Sequence, residues 1–163
     1  MPFTTTAKIR SFGGYLHKLT HPSPSSGTMS LNLYLPPSAT VSDPKSIPVL
    51  IYLSGLTCTG DNCAEKGFFQ HAAAKRGVAI VYPDTSPRGA GVEGEDDSWD
   101  LGTGAGFYVD ATSGGWKGRY NMYSYITKDL PKALFEEFGV LNPERVGVLG
   151  HSMGGHGALT LVG

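Results

Sequence analysis

The chain has 163 residues, a length for one domain (residues 1–163), and is 40% hydrophobic and 17% charged, the balance of a globular protein. A net charge of −1 offers no basic surface for nucleic acid or an anionic membrane, and no apolar run reaches the length of a membrane span. Cys58 and Cys63 fit neither a disulfide framework nor a zinc pattern, the first residues lack the build of a secretory signal, and no Asn-x-Ser/Thr site occurs, so a cytoplasmic protein with reduced thiols is expected.

In chain order, residues 8–21 are β-prone around Gly13-Gly14 and predict a first strand, bulged at the glycines. Pro22-Ser23-Pro24-Ser25-Ser26-Gly27 is a turn. Residues 28–35 alternate, with Leu31, Leu33 and Leu35 on one face and Asn32 and Tyr34 on the other, the pattern of a half-exposed antiparallel strand. Residues 48–53 are almost wholly apolar, as in a strand covered on both faces, and the loop Ser54-Gly55-Leu56-Thr57-Cys58-Thr59-Gly60 follows. Asp61 or Asn62 can cap a helix running to Arg76, with Gly77 as its terminator. Residues 78–82 form a second buried strand, ended by Pro83.

Residues 84–120 form a long connection rich in glycine but also in aromatics, which predicts an ordered excursion that helps wall a pocket. Its acidic cluster, Glu93, Glu95, Asp96 and Asp97, shows no ligand spacing and reads as a solvated turn, so no metal is expected. Asn121 can cap a helix carrying Met122, Ile126, Leu130, Leu134 and Phe138, kinked or broken at Pro131. Asn142-Pro143 then turns the chain into a strand ending at Gly150. Apolar strands alternating with amphipathic helices imply an α/β fold, a mostly parallel sheet with helices on both faces and functional loops at the carboxyl ends of its strands.

The chemistry concentrates at Gly150-His151-Ser152-Met153-Gly154, between that strand and a helix start. This is the strand–turn–helix setting of a nucleophile elbow, Gly-x-Ser-x-Gly. A serine at the tip of so tight a turn has a strained backbone, and its neighbours two residues away must lack bulk. A phosphate-binding loop fails, because no lysine follows the glycines. His151 and His156 flank the elbow and read as packing or capping residues.

Four stretches together resemble one family: Leu53-Ser54-Gly55-Leu56-Thr57-Cys58-Thr59, Tyr82-Pro83-Asp84-Thr85-Ser86-Pro87-Arg88-Gly89, residues 97–108, and Gly150-His151-Ser152-Met153-Gly154-Gly155-His156-Gly157. They are similar to the S-formylglutathione hydrolases, or esterase D family, of the α/β-hydrolase fold. The resemblance implies a cytoplasmic serine thioesterase that splits S-formylglutathione into glutathione and formate in formaldehyde detoxification. It also implies activity on simple esters, no cofactor, and a homodimer in a full-length member. By position it implies Ser152 as nucleophile, the backbone N–H groups of Leu56 and Met153 as oxyanion hole, and Cys58 and Trp99 close to substrate. For Cys58 a small buried residue without a role, and for Trp99 plain packing, fit equally well.

In this fold the acid and histidine of the triad follow the serine along the chain. Residues 153–163 hold neither an acid nor a histidine at usable distance, so a shortened chain is expected, inactive alone, with the strand ending at Gly150 bare on its outer edge. Two other readings stand beside this one: a general carboxylesterase or acyltransferase of the same fold, and a non-catalytic chain that only binds a partner.

Overall fold

The computed structural model describes residues 3–40 and 42–161. Strands β1 (Thr4–Ser11), β2 (Gly14–Ser23), β3 (Gly27–Leu35), β4 (Ile47–Leu53), β5 (Ala79–Pro83) and β6 (Leu141–Gly150) form one sheet in the spatial order β1-β2-β3-β5-β4-β6. The α/β-hydrolase class holds, and the sheet is mixed. β4 pairs in parallel with β5 and β6, whereas β1, β2, β3 and β5 pair antiparallel in succession.

The single strand expected over residues 8–21 is a hairpin. Ser11 pairs with Gly14, and between them Phe12 (φ 45°) and Gly13 (φ 80°) both lie in the left-handed region. Two such residues make the tight turn whose twist matches the flanking strands. The glycine pair therefore reverses the chain instead of bulging it. β3 also differs from expectation: both faces are covered. Leu31 and Leu33 enter one core, while Asn32 (3% exposed) and Tyr34 (0%) lie under the opposite layer.

Among the described residues five α-helical segments accompany the sheet: α1 (Gly60–Lys66), α2 (Phe69–Arg76), α3 (Met122–Ser124), α4 (Leu130–Glu137) and α5 (Met153–Leu161). The helix expected up to Arg76 is two. Thr59, not Asp61 or Asn62, caps α1: its hydroxyl accepts from the Asp61 N–H at 3.2 Å, and the Asn62 side chain accepts from the Thr59 N–H at 2.7 Å. Phe68, at φ 54°, then re-aims the chain into α2, which ends at Gly77 (φ 64°) as the sequence predicts.

Asn121 does not cap the next helix. Its side-chain amide donates to the Ser25 carbonyl at 2.7 Å, and Asp110 caps instead, accepting from the Ser124 N–H at 2.9 Å and hydroxyl at 2.6 Å. Pro131 causes no break. A wide π-helical turn, Tyr125–Asp129, precedes α4 and leaves the proline in its first turn, where a missing N–H costs little. At the start of β6, register with β4 is lost after Leu141 and resumes at Val146, around the turn expected at Asn142-Pro143.

The strand alternation divides the interior into two cores. Leu33, Val49, Ile51, Leu53 and Val81 face α4 and α5, joined by Tyr125, Leu130, Leu134 and Met153. Tyr34, Tyr52, Ile80 and Tyr82 face α1 and α2, joined by Cys63, Ala64 and Ala73. Helices thus cover both faces, and the carboxyl ends of β4, β5 and β6 open on one side. β6 closes the sheet with its outer edge unpaired among the described residues, and Val146 there is 41% exposed. No helix among them is long and apolar enough to cross a membrane.

His21 is sealed between the Phe3 ring, 4.8 Å away, and the Tyr125 ring, 5.8 Å away, and its Nδ1 has no partner. Burial lowers its pKa from 6.5, against the pull of Asp129 and Glu137, and burial with nearby Lys8 lowers that of His17. Protonation therefore favours the unfolded chain: the stabilisation is complete above pH 6.5 and is lost as pH falls below it. Thermal unfolding followed from pH 8 to 5 should show a falling midpoint on the acid side, and His21→Phe should flatten part of that fall.

Candidate active site

The register of β6 against β4 builds the site. Leu53 pairs with Gly150, and the His151 N–H continues the ladder to the Leu53 carbonyl at 3.3 Å. The chain then turns within two residues. The Gly154 N–H closes the turn on the His151 carbonyl at 2.9 Å, and α5 begins at Met153. Ser152 sits at the tip with φ 53°, a conformation costly for a residue with a Cβ, and it is exposed.

The flanking glycines are there for the reason the spacing predicts. A Cβ on Gly154 would collide with the Leu53 and Ser54 carbonyls, and one on Gly150 with the carbonyls of Gly154 and Leu53. The end of β4 and the first turn of α5 are therefore in backbone contact. Gly55 completes this arrangement: a Cβ there would stand 3.3 Å from the Ser152 Cβ and 2.8 Å from Nε2 of His151. The loop carrying Leu56 is thereby laid against the serine.

The N–H groups of Leu56 and Met153 donate to no acceptor among the described residues, whereas the next two in the loop are engaged, Thr57 with the Gly104 carbonyl at 2.9 Å and Cys58 with that of Gly55 at 3.2 Å. For Met153 the cause is general, since the first residues of a helix have no acceptor one turn back. His151 is exposed, and its Nδ1 shares a 3.1 Å hydrogen bond with the Tyr52 hydroxyl, whose pKa burial pushes up to about 12. His156 is exposed, and its N–H donates to the Ser152 carbonyl at 3.1 Å.

The long connection is ordered and clamps this loop from outside. Its strip Gly102–Tyr108 approaches so closely that a Cβ on Gly104 would lie 3.0 Å from the Thr57 Cα. Ser86 accepts from the Gly104 N–H at 2.7 Å, and the Thr85 hydroxyl donates to the Cys58 carbonyl at 2.5 Å. Tyr108, buried and at φ 56°, donates its hydroxyl to the Ser54 carbonyl at 2.8 Å and lays its ring on Gly157 of α5. The sequence marks Thr85, Ser86 and Tyr108 only as part of the family resemblance and gives them no part in holding this loop. The density of glycine in Gly102-Thr103-Gly104-Ala105-Gly106 was the available signal of close backbone approach.

Glu95 corrects the solvated reading of the acidic cluster. It is 8% exposed and accepts from the Tyr120 hydroxyl at 2.7 Å and from the N–H groups of Gly91 and Ala90 at 2.8 and 3.1 Å, which hold its carboxyl below the usual range. No group of metal-ligating side chains occurs among the described residues. Cys58 is half-buried, and burial, with Cys63 nearby, pushes its thiol up. Trp99 is 69% exposed beside the Ser98–Leu101 bridge, so packing does not account for it.

With this geometry in view, comparisons with known proteins agree on one relationship. The Esterase family profile matches residues 24–162. S-formylglutathione hydrolase of Bos taurus is 48% identical over 160 residues, covering 98% of this chain and 55% of the relative. That of Arabidopsis thaliana is 52% identical over 153 residues, covering 93% and 53%. The solved S-formylglutathione hydrolase of Agrobacterium tumefaciens superposes with a TM-score of 0.89 at 43% identity, over 99% of this chain and 57% of that one. The chain spans about half the length of the curated relatives it matches. Ferulic acid esterases, at 19% identity and a TM-score of 0.64, share the fold.

Because the Gly154 contact is backbone on backbone, nothing flexible can yield to a methyl group. Gly154→Ala should destabilise the protein by about 2–3 kcal/mol, read as a lowered denaturant midpoint. Gly155→Ala, whose nearest new neighbour would be 3.4 Å away, should cost far less.

Proposed function

We infer the chemistry of the site from two findings: the chain belongs to the Esterase family, and its similarity to S-formylglutathione hydrolases supports reading it as part of one. Ser152 is the nucleophile of a serine thioesterase, and the N–H groups of Leu56 and Met153 form its oxyanion hole. The observation that carries this reading is Ser152 itself: exposed, at φ 53°, on the contact between the Gly55 turn and the head of α5.

In the complete reaction the serine oxygen adds to the thioester carbonyl, and the carbonyl oxygen takes the negative charge between the two N–H groups. The C–S bond then breaks to a thiolate and a formyl-serine. Water adds to that ester, and the C–O bond to Ser152 breaks, giving formate. Both steps develop charge on the same oxygen, so two fixed donors serve both. A thiol leaving group, with a pKa of about 8.5, hardly needs an acid, whereas the serine hydroxyl needs a base.

No side chain hydrogen-bonds the Ser152 hydroxyl among the described residues, and residues 153–163 contain no Asp or Glu and only His156 as histidine. We place the acid and base in polypeptide that the longer relatives carry. The same reading makes the substrates S-formylglutathione and simple esters, the pathway formaldehyde detoxification, the compartment cytoplasm, where Cys58 and Cys63 stay reduced, and the full-length assembly a homodimer. Trp99 and Cys58 lie at the substrate's approach.

Removal of a triad histidine costs on the order of a million-fold in turnover. A fluorophosphonate probe should therefore label Ser152 in a protein carrying the full triad and leave the 163-residue chain essentially unlabelled. Prompt labelling of this chain would show that it holds a base of its own. Hydrolysis of S-formylglutathione no faster than that of a simple aryl ester by the full-triad protein would favour a general carboxylesterase instead.

A further inference from the structure

In the reading above both reaction steps load one oxygen with charge, so both depend on where the Leu56 N–H points. A trans peptide is planar and its N–H lies opposite its C=O, so the Cα and carbonyl of Gly55 together set that direction. The carbonyl is anchored within the loop, where it accepts from the Cys58 N–H at 3.2 Å. What stands against the Cα is the imidazole of His151.

His151 precedes the nucleophile and is exposed, yet its ring is held at both edges. On one edge Nδ1 meets the Tyr52 hydroxyl at 3.1 Å. The other edge lies on Gly55: a Cβ there would stand 2.8 Å from Nε2, 3.2 Å from Cδ2 and 3.3 Å from the Ser152 Cβ. Imidazole, nucleophile and the Leu56 loop therefore meet around one point beside the Gly55 Cα, and only a residue without a side chain leaves room for the ring.

Tyr52 gives the imidazole a rigid footing. It lies on β4, 8% exposed, with its ring 5.0 Å from that of Phe69 and 6.0 Å from that of Tyr82. Burial pushes its hydroxyl up to about 12, so it keeps its proton. An imidazole nitrogen accepts that proton better than the nearby Cys63 thiol does. Tyr52 thus donates to Nδ1, and the neutral ring carries its hydrogen on Nε2. In this tautomer Nε2 has no lone pair to offer the Ser152 hydroxyl, so His151 is no base for its neighbour.

We propose that Tyr52 and His151 form a strut that positions the Leu56 N–H, with the imidazole edge pressing on Gly55 and the Tyr52 hydroxyl fixing both the tilt and the tautomer of the ring. The strut draws its purpose from the thioesterase reading and its geometry from the contacts at Gly55 and Tyr52.

Its geometry can be read in this chain without catalysis. Long-range proton–nitrogen NMR on the neutral ring should find the hydrogen of His151 on Nε2, and Tyr52→Phe should mix the two tautomers. The direction of the Leu56 N–H, read from its residual dipolar coupling, should change in His151→Ala and in Tyr52→Phe, while couplings along β4 stay. Tyr52→Phe keeps an aromatic ring against Phe69 and Tyr82, and a cooperative unfolding transition checks that the fold is intact. In a protein carrying the full triad, His151→Ala should lower kcat for S-formylglutathione about tenfold and leave KM nearly unchanged, because an oxyanion donor acts on the transition state. Tyr52→Phe should give part of that loss, and none beyond it in the His151→Ala background, because Tyr52 acts only through the imidazole. Packing alone would make the two losses additive. A hydrogen on Nδ1, an unmoved Leu56 coupling, or additive losses overturns the strut. A wild-type full-triad protein that fails to hydrolyse S-formylglutathione overturns the thioesterase reading instead, and the strut is then decided by the Leu56 coupling.

Discussion

The backbone contact between the end of β4 and the head of α5 sets everything else in this protein. Gly154 rests on the carbonyls of Leu53 and Ser54, and Gly150 on that of Leu53. No side chain fits between them, so strand and helix meet at the shortest separation a polypeptide allows. That separation throws Ser152 into the left-handed region and out to the surface. It also lays the Gly55 turn beside the serine, so that candidate nucleophile and candidate oxyanion donors belong to one packed unit. Strain at Ser152 persists because the sheet register, the turn bond from Gly154 to His151 and the buried Met153 all hold the turn together.

The excursion between β5 and α3 is the second half of that unit. Thr85, Ser86, Gly104 and Tyr108, to which the sequence gives no structural task, fasten the loop after β4 through hydroxyls and backbone groups that are mostly buried. The loop after β4 leaves polar backbone groups that it does not satisfy internally. The excursion takes up its neighbours, Ser54, Thr57 and Cys58, and leaves Leu56 unengaged. Rigidity from outside is what allows one donor to stay open.

Much of this was legible in the residues. Apolar runs placed β4, β5 and the end of β6, the Gly-x-Ser-x-Gly spacing placed the elbow, and Gly77 marked a helix end. What failed did so for local reasons. Gly13-Gly14 reads equally as bulge or turn until the partner strand is known. Phe68 carries no sign that it will adopt φ 54° and split a helix. Asn121 is as good a cap as Asp110 on paper, and only the Ser25 carbonyl at the far side of the chain decides between them. Glu95 looks solvated because the three donors that bury it come from a loop with no periodicity. Non-local hydrogen bonds, not propensities, settled each case.

On the proposed reading, the described residues divide the work of an esterase in a physically sensible way. Everything that must be rigid and dry-backed, namely the strained serine and the open N–H groups, sits on β4, β6 and α5 with a core beneath it. Among the described residues no side chain hydrogen-bonds the Ser152 hydroxyl, and a base need only reach it by its side chain, so it can come from a separate element. β6 is the strand from which such an element would continue the sheet, and its outer edge, with Val146 exposed, is unpaired among the described residues. On the proposed reading, proton transfer needs a base that the described residues do not place on Ser152, whereas stabilisation of the oxyanion would use N–H groups that they hold. The two contributions can be lost independently, which is why a well-formed elbow is by itself no measure of turnover.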